Sequence, residues 1–265
     1  MTNIDKNLFL QHAHNFIAVT SGVGSMGKTW LSTTLAQALN MLRRSVLLFD
    51  AGGGLSNIDF QLGLQERHTL NEVVAGNLTF NQAVMPINKR HLDVMTAVAG
   101  SDLLEDMPSG RLQILRDDLL ITSQNYQYTV VDLPTSEKVM HHLLPQQIKL
   151  ILVCTAEPSN LVATYNFLQN KNLCANTTEL QIVVNYAHSY EEGLRTYNTL
   201  RHTCDRYIEN TPRLLGVIRR DTRVRDAIRN HSLLLNRYPN SEAAEDVLQI
   251  AAKIIKGEKA YEYPA

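Results

Sequence analysis

The chain has 265 residues, of which 44% are hydrophobic and 19% are charged. That apolar fraction is enough to build a substantial core, so an intrinsically disordered chain is excluded. The formal net charge of −1 argues against a protein that binds nucleic acid or anionic membranes constitutively.

The compartment follows from the cysteines and the N-terminus. Cys154, Cys174 and Cys204 are widely spaced and form neither a zinc pattern nor a disulfide framework, which favours a reducing compartment. The N-terminus has no apolar run behind a basic start, and no segment approaches the length of a membrane span. We therefore expect a cytoplasmic protein.

Apolar β-branched runs alternate with longer helical patterns along the whole chain. The predicted strands are 16–20, 45–49, 92–96, 128–131, 149–154, 180–184 and 214–218. The predicted helices lie near 28–43, 110–124, 159–170, 190–207 and 241–256. This alternation predicts an α/β fold, with a mostly parallel, twisted sheet of about seven or eight strands covered by helices on both faces.

No linker, repeat or low-complexity tract divides the chain. We expect one domain over 16–256, preceded by an extension at 1–15 and followed by a polar tail at 257–265. The residues just before the last helix, Asn240 and Ser241, are suited to cap it.

A phosphate-binding loop is predicted between the first strand and the first helix. Its residues match the pattern G-x-x-x-x-G-K-T: Gly22, Val23, Gly24, Ser25, Met26, Gly27, Lys28 and Thr29. The strand 16–20 leads into the loop, and the helix that leaves it carries Leu31, Leu35, Leu39 and Leu42 on one side. This order aims backbone N–H groups and the positive end of a helix at a bound phosphate.

The pattern assigns chemistry to the two residues that end the loop. Lys28 would contact the β- and γ-phosphates, and the hydroxyl of Thr29 would bind Mg²⁺. The alternative is a glycine-rich turn with an unrelated lysine, which the strand–loop–helix order disfavours.

Two apolar strands end in a carboxylate, at Asp50 and at Asp132. In an open α/β sheet, ligands bind at the carboxyl ends of the strands, so both side chains would face the phosphate loop. Together with Thr29 they are the candidate magnesium ligands. Helix capping or a turn is the structural alternative for either residue taken alone.

Beyond these motifs, nearly the whole chain resembles the MinD/ParA-type P-loop ATPases. Within that group it is similar to the FlhG/FleN regulators of flagellar number and placement. The segments that carry the resemblance are 55–64, 68–76, 184–193 and 217–241. They resemble the family patterns L-x-N-x-D-x-x-L-G-L, R-T-L-x-D-V-I-x-G, N-M-A-H-S-x-x-E-G and G-V-I-x-x-D followed by F-P-x-S.

The resemblance implies a ligand and partners. It implies binding of ATP or ADP with Mg²⁺, with Asn185 contacting the adenine and the loop 217–221, which includes Arg219 and Asp221, closing over it. It also implies a homodimer, a cytoplasmic and polar location, and two candidate protein partners. These are the flagellar SRP-type GTPase and the flagellar transcriptional activator.

The chain departs from the family pattern at positions that matter for hydrolysis. Val23 stands where the family has a signature lysine that reaches a dimer partner's phosphates, and Gly52 stands where the family has an Asp that orients the attacking water. The segment 132–136 also lacks the family's switch glycine. Loss of a water-positioning base costs ~10²–10⁴-fold in rate, and loss of a cationic clamp ~10³–10⁵-fold. No catalytic residue is therefore assigned, and a nucleotide-binding regulator with weak or absent ATP hydrolysis is predicted.

Two other functions remain open. The first is an active ATPase switch that dimerises on ATP. The second is a ParA-like DNA-partition protein, and its support is a local excess of arginine at 213–229. The interspersed Asp221 and Asp226 favour an ordinary solvated helix face there. The tail after Ile255 has no apolar face, which disfavours docking on a membrane.

Overall fold

The computed structural model describes residues 16–52, 58–64, 68–98, 102–146, 148–170, 177–208 and 211–257. Within these residues eight strands form one sheet in the order β3-β4-β2-β5-β1-β6-β7-β8. The strands are β1 (Phe16–Ser21), β2 (Val46–Asp50), β3 (Met85–Asn88), β4 (Leu92–Met95), β5 (Tyr128–Asp132), β6 (Ile148–Cys154), β7 (Thr177–Ala187) and β8 (Arg213–Arg219). All neighbouring strands run parallel except β3, which pairs antiparallel with β4.

Helices and short helical turns connect the strands. They are α1 (Lys28–Met41), α2 (Ile58–Leu62), α3 (Leu70–Val74), α4 (Phe80–Ala83), α5 (Leu103–Asp106), α6 (Ser109–Ser123), α7 (Glu137–Leu143), α8 (Pro158–Gln169), α9 (Tyr190–Tyr207), α10 (Thr222–Arg229), α11 (Leu234–Arg237) and α12 (Glu242–Lys256). Ser241 caps α12, because its hydroxyl accepts a hydrogen bond from the N–H of Ala244 at 3.3 Å.

The helix that follows the phosphate loop lies in the interior. All residues of α1 from Trp30 to Asn40 are buried, because the helix packs on β1, β2 and β5 on one side and on α12 on the other. A buried helix of this kind has a fixed axis, so its first turn is held in place relative to the carboxyl ends of the central strands.

Each face of the sheet has its own hydrophobic core. One core packs α1 and α12 against side chains such as Ile17, Val19 and Leu48. The other packs the opposite face of the same strands, with Ala18, Leu47 and Phe49 among its members. Successive residues of a strand point to opposite faces, so a strand covered on both faces is apolar throughout. This accounts for the continuous apolar runs in the sequence.

The seven predicted strands and five predicted long helices are all present, with boundaries that shift by a few residues. The prediction missed β3, a four-residue edge strand that contains Pro86, because a proline in a short run gives no strand signal. The prediction for Leu42 was also wrong. The helix α1 ends at Met41, and Leu42 is 38% exposed instead of packing with the other leucines.

Some predictions fall on residues outside the described part of the chain. These are the extension 1–15, the tail from 258 onwards and residues 55–57 of the first family-like segment. Among the described residues, no helix has the length and apolar character needed to cross a lipid bilayer.

We predict that Gly193→Ala lowers the free energy of unfolding by about 1–3 kcal/mol, because overpacking a core has that cost. A Cβ at Gly193 in α9 would lie 2.2 Å from a methyl group of the buried Val217. The matched control is Gly110→Ala in α6, where nothing lies within 4 Å of the added Cβ. That control should leave stability unchanged or raise it by up to about 1 kcal/mol. Urea unfolding measures the free energy of unfolding of both variants. Equal effects would contradict the close packing of Gly193 against Val217.

Candidate functional site

The predicted phosphate loop lies at the carboxyl end of β1, between the neighbouring strands β5 and β6. Gly27 precedes α1 with a left-handed backbone (φ 86°) and provides no side-chain cap, and no acidic residue lies in the first turn. The first N–H groups of a helix have no partner within the helix and carry the positive end of its dipole. Here they are left open to an anion.

Two glycines let other elements approach the loop closely. A Cβ at Gly22 would lie 2.4 Å from the backbone oxygen of Ala163 in α8. A Cβ at Gly27 would lie 2.5 Å from the amide nitrogen of Asn185. Both distances are shorter than a real Cβ contact allows. The loop can therefore pack between α8 and the end of β7 only because these two positions are glycine.

Asn185 holds the loop through its side chain. Its buried Nδ2 donates to the carbonyl oxygen of Met26 at 2.9 Å, and its Oδ1 accepts from the N–H of Tyr186 at 2.9 Å. The amide therefore fixes the turn that leads into α1. A contact with adenine, which the sequence resemblance implied for Asn185, remains a prediction beside this structural role.

Lys28 is the cation of the loop. Its side chain is half-buried, and no ion pair joins it to an acidic side chain in the described segments. A half-buried cation without a protein counter-ion, directly beside open N–H groups, is suited to bind a phosphate charge.

Three side chains form a candidate magnesium site at the start of α1. The hydroxyl of Thr29 donates to Oδ2 of Asp132 at 2.6 Å, and the hydroxyl of Ser32 donates to Oδ1 of the same carboxylate at 3.1 Å. Asp132 is fully buried. Hard oxygen ligands at the base of a phosphate loop fit Mg²⁺, which is commonly bound by one or two carboxylates and the phosphates themselves. These residues therefore have the donor set that the predicted metal requires.

Asp50 lies next to Asp132, because β2 pairs with β5 and places the two residues in register. Its carboxylate accepts a hydrogen bond from the N–H of Gly52 at 3.0 Å, and only 1% of the residue is exposed. The two carboxylates therefore lie side by side at the carboxyl ends of their strands. That they face a nucleotide and bind Mg²⁺ stays a prediction.

The two substituted positions are arranged as follows. Val23 is 43% exposed on the outer side of the loop, and its carbonyl accepts a hydrogen bond from the hydroxyl of Ser21 at 2.5 Å. Gly52 follows β2 beside Asp50. Neither residue has a side chain that can carry charge or orient a water molecule.

Arg219 is bound to α12. Its guanidinium donates to Asp246 at 2.9 Å and to Glu242 at 2.9 Å, and the hydrogen bonds with Asp246 raise the pKa of Arg219 above its ordinary value. The nearby Asp221 caps α10 by accepting from the N–H of Arg223 at 2.9 Å. These contacts give both residues structural roles, and their contact with a nucleotide stays a prediction.

Sequence reasoning did not assign two residues that lie at the site, Ser32 and Tyr186. Ser32 is one turn after Thr29, a spacing that places both hydroxyls on one side of the helix. Tyr186 has an unusual left-handed backbone (φ 60°), and its phenol lies 3.2 Å from the position of a Cβ on Gly27. Helical spacing would have found Ser32, but no pattern in the sequence would have found Tyr186.

Comparison with known proteins agrees with this geometry. Residues 17–259 match the family described as the CobQ/CobB/MinD/ParA nucleotide binding domain. The chain is 29% identical over 255 residues to the antiactivator FleN of Pseudomonas aeruginosa, which covers 94% of this chain and 89% of that protein. It is 24% identical over 244 residues to the flagellum site-determining protein YlxH of Helicobacter pylori, with 91% and 81% covered.

A solved structure shares the fold. The septum site-determining protein MinD of Pyrococcus horikoshii, complexed with Mg-ADP, superposes with a TM-score of 0.73 at 20% sequence identity. The match covers 92% of this chain and 96% of that one.

We predict that Arg219→Met lowers the free energy of unfolding by about 2–4 kcal/mol, because it leaves a buried carboxylate without its cation. Asp246 is 6% exposed and the Arg219 side chain 25% exposed. Nucleotide affinity, measured by titration calorimetry under conditions in which the variant is folded, should change less than about threefold. The opposite result, unchanged stability with a large loss of affinity, would assign Arg219 to the nucleotide.

Proposed function

This chain belongs to the CobQ/CobB/MinD/ParA nucleotide-binding family, and from that premise we propose that it is a nucleotide-binding regulator of flagellar number or placement. In this proposal it binds ATP or ADP with Mg²⁺, hydrolyses ATP slowly or not at all, and acts through protein partners. The observation that carries the proposal is a phosphate loop with open N–H groups and a Lys28 that pairs with no acidic side chain of the described residues, next to Val23 and Gly52.

Binding is the better supported half of the proposal. The open first turn of α1 and Lys28 supply the hydrogen bonds and the positive charge that a triphosphate requires. Thr29 and Asp132 would hold Mg²⁺, with Asp50 beside them. When bound, the ion would neutralise charge on the β- and γ-phosphates. The side chains of Thr29, Asp132 and Asp50 are already held by hydrogen bonds, so these three lose little conformational freedom when a ligand binds.

Slow hydrolysis follows from what the same site lacks. Catalysis of phosphoryl transfer consists almost entirely of positioning the nucleophile and stabilising charge in the transition state. A valine at position 23 adds no charge to the phosphates, whether from its own chain or across a dimer. A glycine at position 52 leaves the attacking water without the carboxylate that would orient it.

A protein that holds its nucleotide for long periods is suited to work as a platform for partners. The relatives named antiactivator and flagellum site-determining protein lead us to propose a flagellar transcriptional activator or the flagellar SRP-type GTPase as partner. The proposed partner surface includes the loop region, so that the bound nucleotide changes the affinity of the complex.

We predict that adding the missing groups raises ATP turnover. Val23→Lys and Gly52→Asp should each raise kcat by about tenfold or more, since loss of a cationic clamp costs ~10³–10⁵-fold and loss of a water-positioning base costs ~10²–10⁴-fold in related sites. The exposed position of Val23 accepts a lysine without a clash. Phosphate release under saturating ATP and Mg²⁺ measures the rate.

The control for that experiment is Lys28→Ala in each background, which should remove both nucleotide binding and turnover. A wild-type chain that already turns over ATP at about 1 s⁻¹, within the usual range of enzymes, would contradict the proposal. Dimerisation of the wild type on ATP, seen by size-exclusion chromatography and reversed by hydrolysis, would favour the active switch instead.

The proposed partner link gives a second prediction. Purified flagellar transcriptional activator from the same genome should bind the ATP-loaded chain, and Lys28→Ala should weaken that binding by about tenfold or more, a typical size for coupling between sites. Biolayer interferometry with ATP, ADP and no nucleotide measures the effect. Binding that ignores both the nucleotide and the Lys28 substitution would contradict the proposed coupling.

A further inference from the structure

A cleft of about 640 Å³ lies at the amino ends of the strands, on the side of the sheet opposite to the phosphate loop. We call it the basic cleft, and its lining residues are Asn40, Met41, Arg43, Arg44, Ser45, Arg90, His91 and Gln127. These residues precede β2, β4 and β5, whereas the phosphate loop follows β1. Because these strands are parallel, their amino ends and carboxyl ends lie on opposite sides of the sheet. The two sites are therefore about 16 Å apart, the length of a five-residue strand at roughly 3.3 Å per residue.

The buried amide of Asn40 and the exposed amide of Asn88 hold the turns around the basic cleft. The Nδ2 atom of Asn40 donates to the carbonyl of Arg44 at 2.9 Å and to the carbonyl of Arg90 at 2.7 Å. Asn88 donates to Oδ1 of Asn40 at 3.0 Å and accepts from the N–H of Arg90 at 2.8 Å. One amide pair therefore ties the turn before β2 to the turn before β4 and holds the backbone carbonyls of Arg44 and Arg90 on one nitrogen.

A third turn closes the cleft. The N–H of Ser45 donates to the side-chain oxygen of Gln127 at 3.2 Å, and the N–H of Gln127 donates to the hydroxyl of Ser45 at 2.9 Å. The turns also contain two non-glycine residues with a left-handed backbone, Arg43 (φ 64°) and His91 (φ 58°). Such conformations are uncommon for side-chain-bearing residues, and here they lie on the cleft itself.

The charges in this region are positive and uncompensated. Arg43, Arg44, Lys89 and Arg90 lie in two adjacent turns with His91, and none of the four forms an ion pair with an acidic side chain of the described residues. The Nε atom of Arg44 is buried and has no hydrogen-bond partner among the described residues. A buried donor of a charged group without a partner is costly, so Arg44 keeps unused hydrogen-bonding capacity in the lining of the cleft.

An ordinary structural role explains part of this arrangement. Arg43 and Arg44 follow the C-terminal end of α1, where cations offset the negative end of the helix dipole. The helix dipole does not explain the arginine at position 90. It also does not explain the hydrogen bonds of Asn40 that join the backbone at Arg90 to the backbone at Arg44.

We propose that the basic cleft binds a small ligand that carries phosphoryl groups, such as pyrophosphate or a nucleotide. Guanidinium groups match phosphate oxygens in geometry as well as charge, and a volume of a few hundred Å³ is typical of small-ligand sites. A nucleic-acid duplex is recognised by an extended basic face, whereas this site is concave and closed by three turns. An acidic peptide in extended form pairs with a free sheet edge, and β2, β4 and β5 are interior strands.

The test uses the full chain with Lys28→Ala, so that the phosphate loop does not bind the probe. Titration calorimetry with inorganic pyrophosphate should show one site per chain. Combining Arg44→Met with Arg90→Met should weaken binding by at least about tenfold, the usual effect of losing a hydrogen bond to a charged group. The matched control is Arg225→Met with Arg229→Met, two exposed arginines of α10, which removes the same charge and should leave binding unchanged.

Further arms identify the source of the phosphate. ADP binding more tightly than pyrophosphate, with the same loss in the double variant, would support a nucleotide. Phosphatidylglycerol vesicles or polyglutamate that bind while pyrophosphate does not would overturn the proposal. So would equal pyrophosphate affinity in the double variant and its control. If the double variant does not fold by circular dichroism, Arg90→Met alone, at the exposed end of the cleft, carries the same prediction. Failure here leaves the proposed role of the phosphate loop untouched, because Lys28 is absent throughout.

Discussion

The close packing of α8 and β7 against the phosphate loop is the constraint on which the rest of the site depends. The carbonyl of Ala163 and the amide of Asn185 approach so closely that only glycine fits at positions 22 and 27. Asn185 then fixes the carbonyl of Met26, and α1 starts immediately after Gly27. Because α1 is buried along most of its length, the open N–H groups of its first turn cannot move away from the edge of the sheet. The N–H groups that we propose to bind an anion are therefore already in position without a ligand.

The same rigidity explains how a site can keep its ligand chemistry and lose its catalysis. Asp132 and its two hydroxyl donors are held by the sheet and by α1, so they persist whether or not hydrolysis is needed. Val23 and Gly52 lie at the surface of the loop and after the end of β2. Because Val23 is exposed, a substitution there does not disturb the core. Binding and turnover are thus separable in this fold, which is why a regulator that retains nucleotide is physically reasonable.

Much of the fold and part of the site were accessible from the sequence. Continuous apolar runs marked the strands because each is covered on both faces, and the G-K-T motif marked the loop because strand and helix flank it directly. Contacts between distant residues were not accessible. Asn185 and Met26 are separated by 159 positions, and Arg219 reaches Asp246 across 27. Local patterns do not contain such pairings, so the ion pair of Arg219 with Asp246 could not be predicted from the sequence. The predicted contact of Arg219 with a nucleotide stays a prediction.

A single-turnover experiment tests most directly whether the site retains bound ATP without hydrolysing it. Radiolabelled ATP and Mg²⁺ are mixed with excess purified chain, and the bound nucleotide is quenched and separated over time. We predict stoichiometric binding, lost in Lys28→Ala, with the bound label remaining ATP for many minutes. Conversion of the bound ATP to ADP within seconds would contradict it, because a site with valine at position 23 and glycine at position 52 would then be a working catalyst.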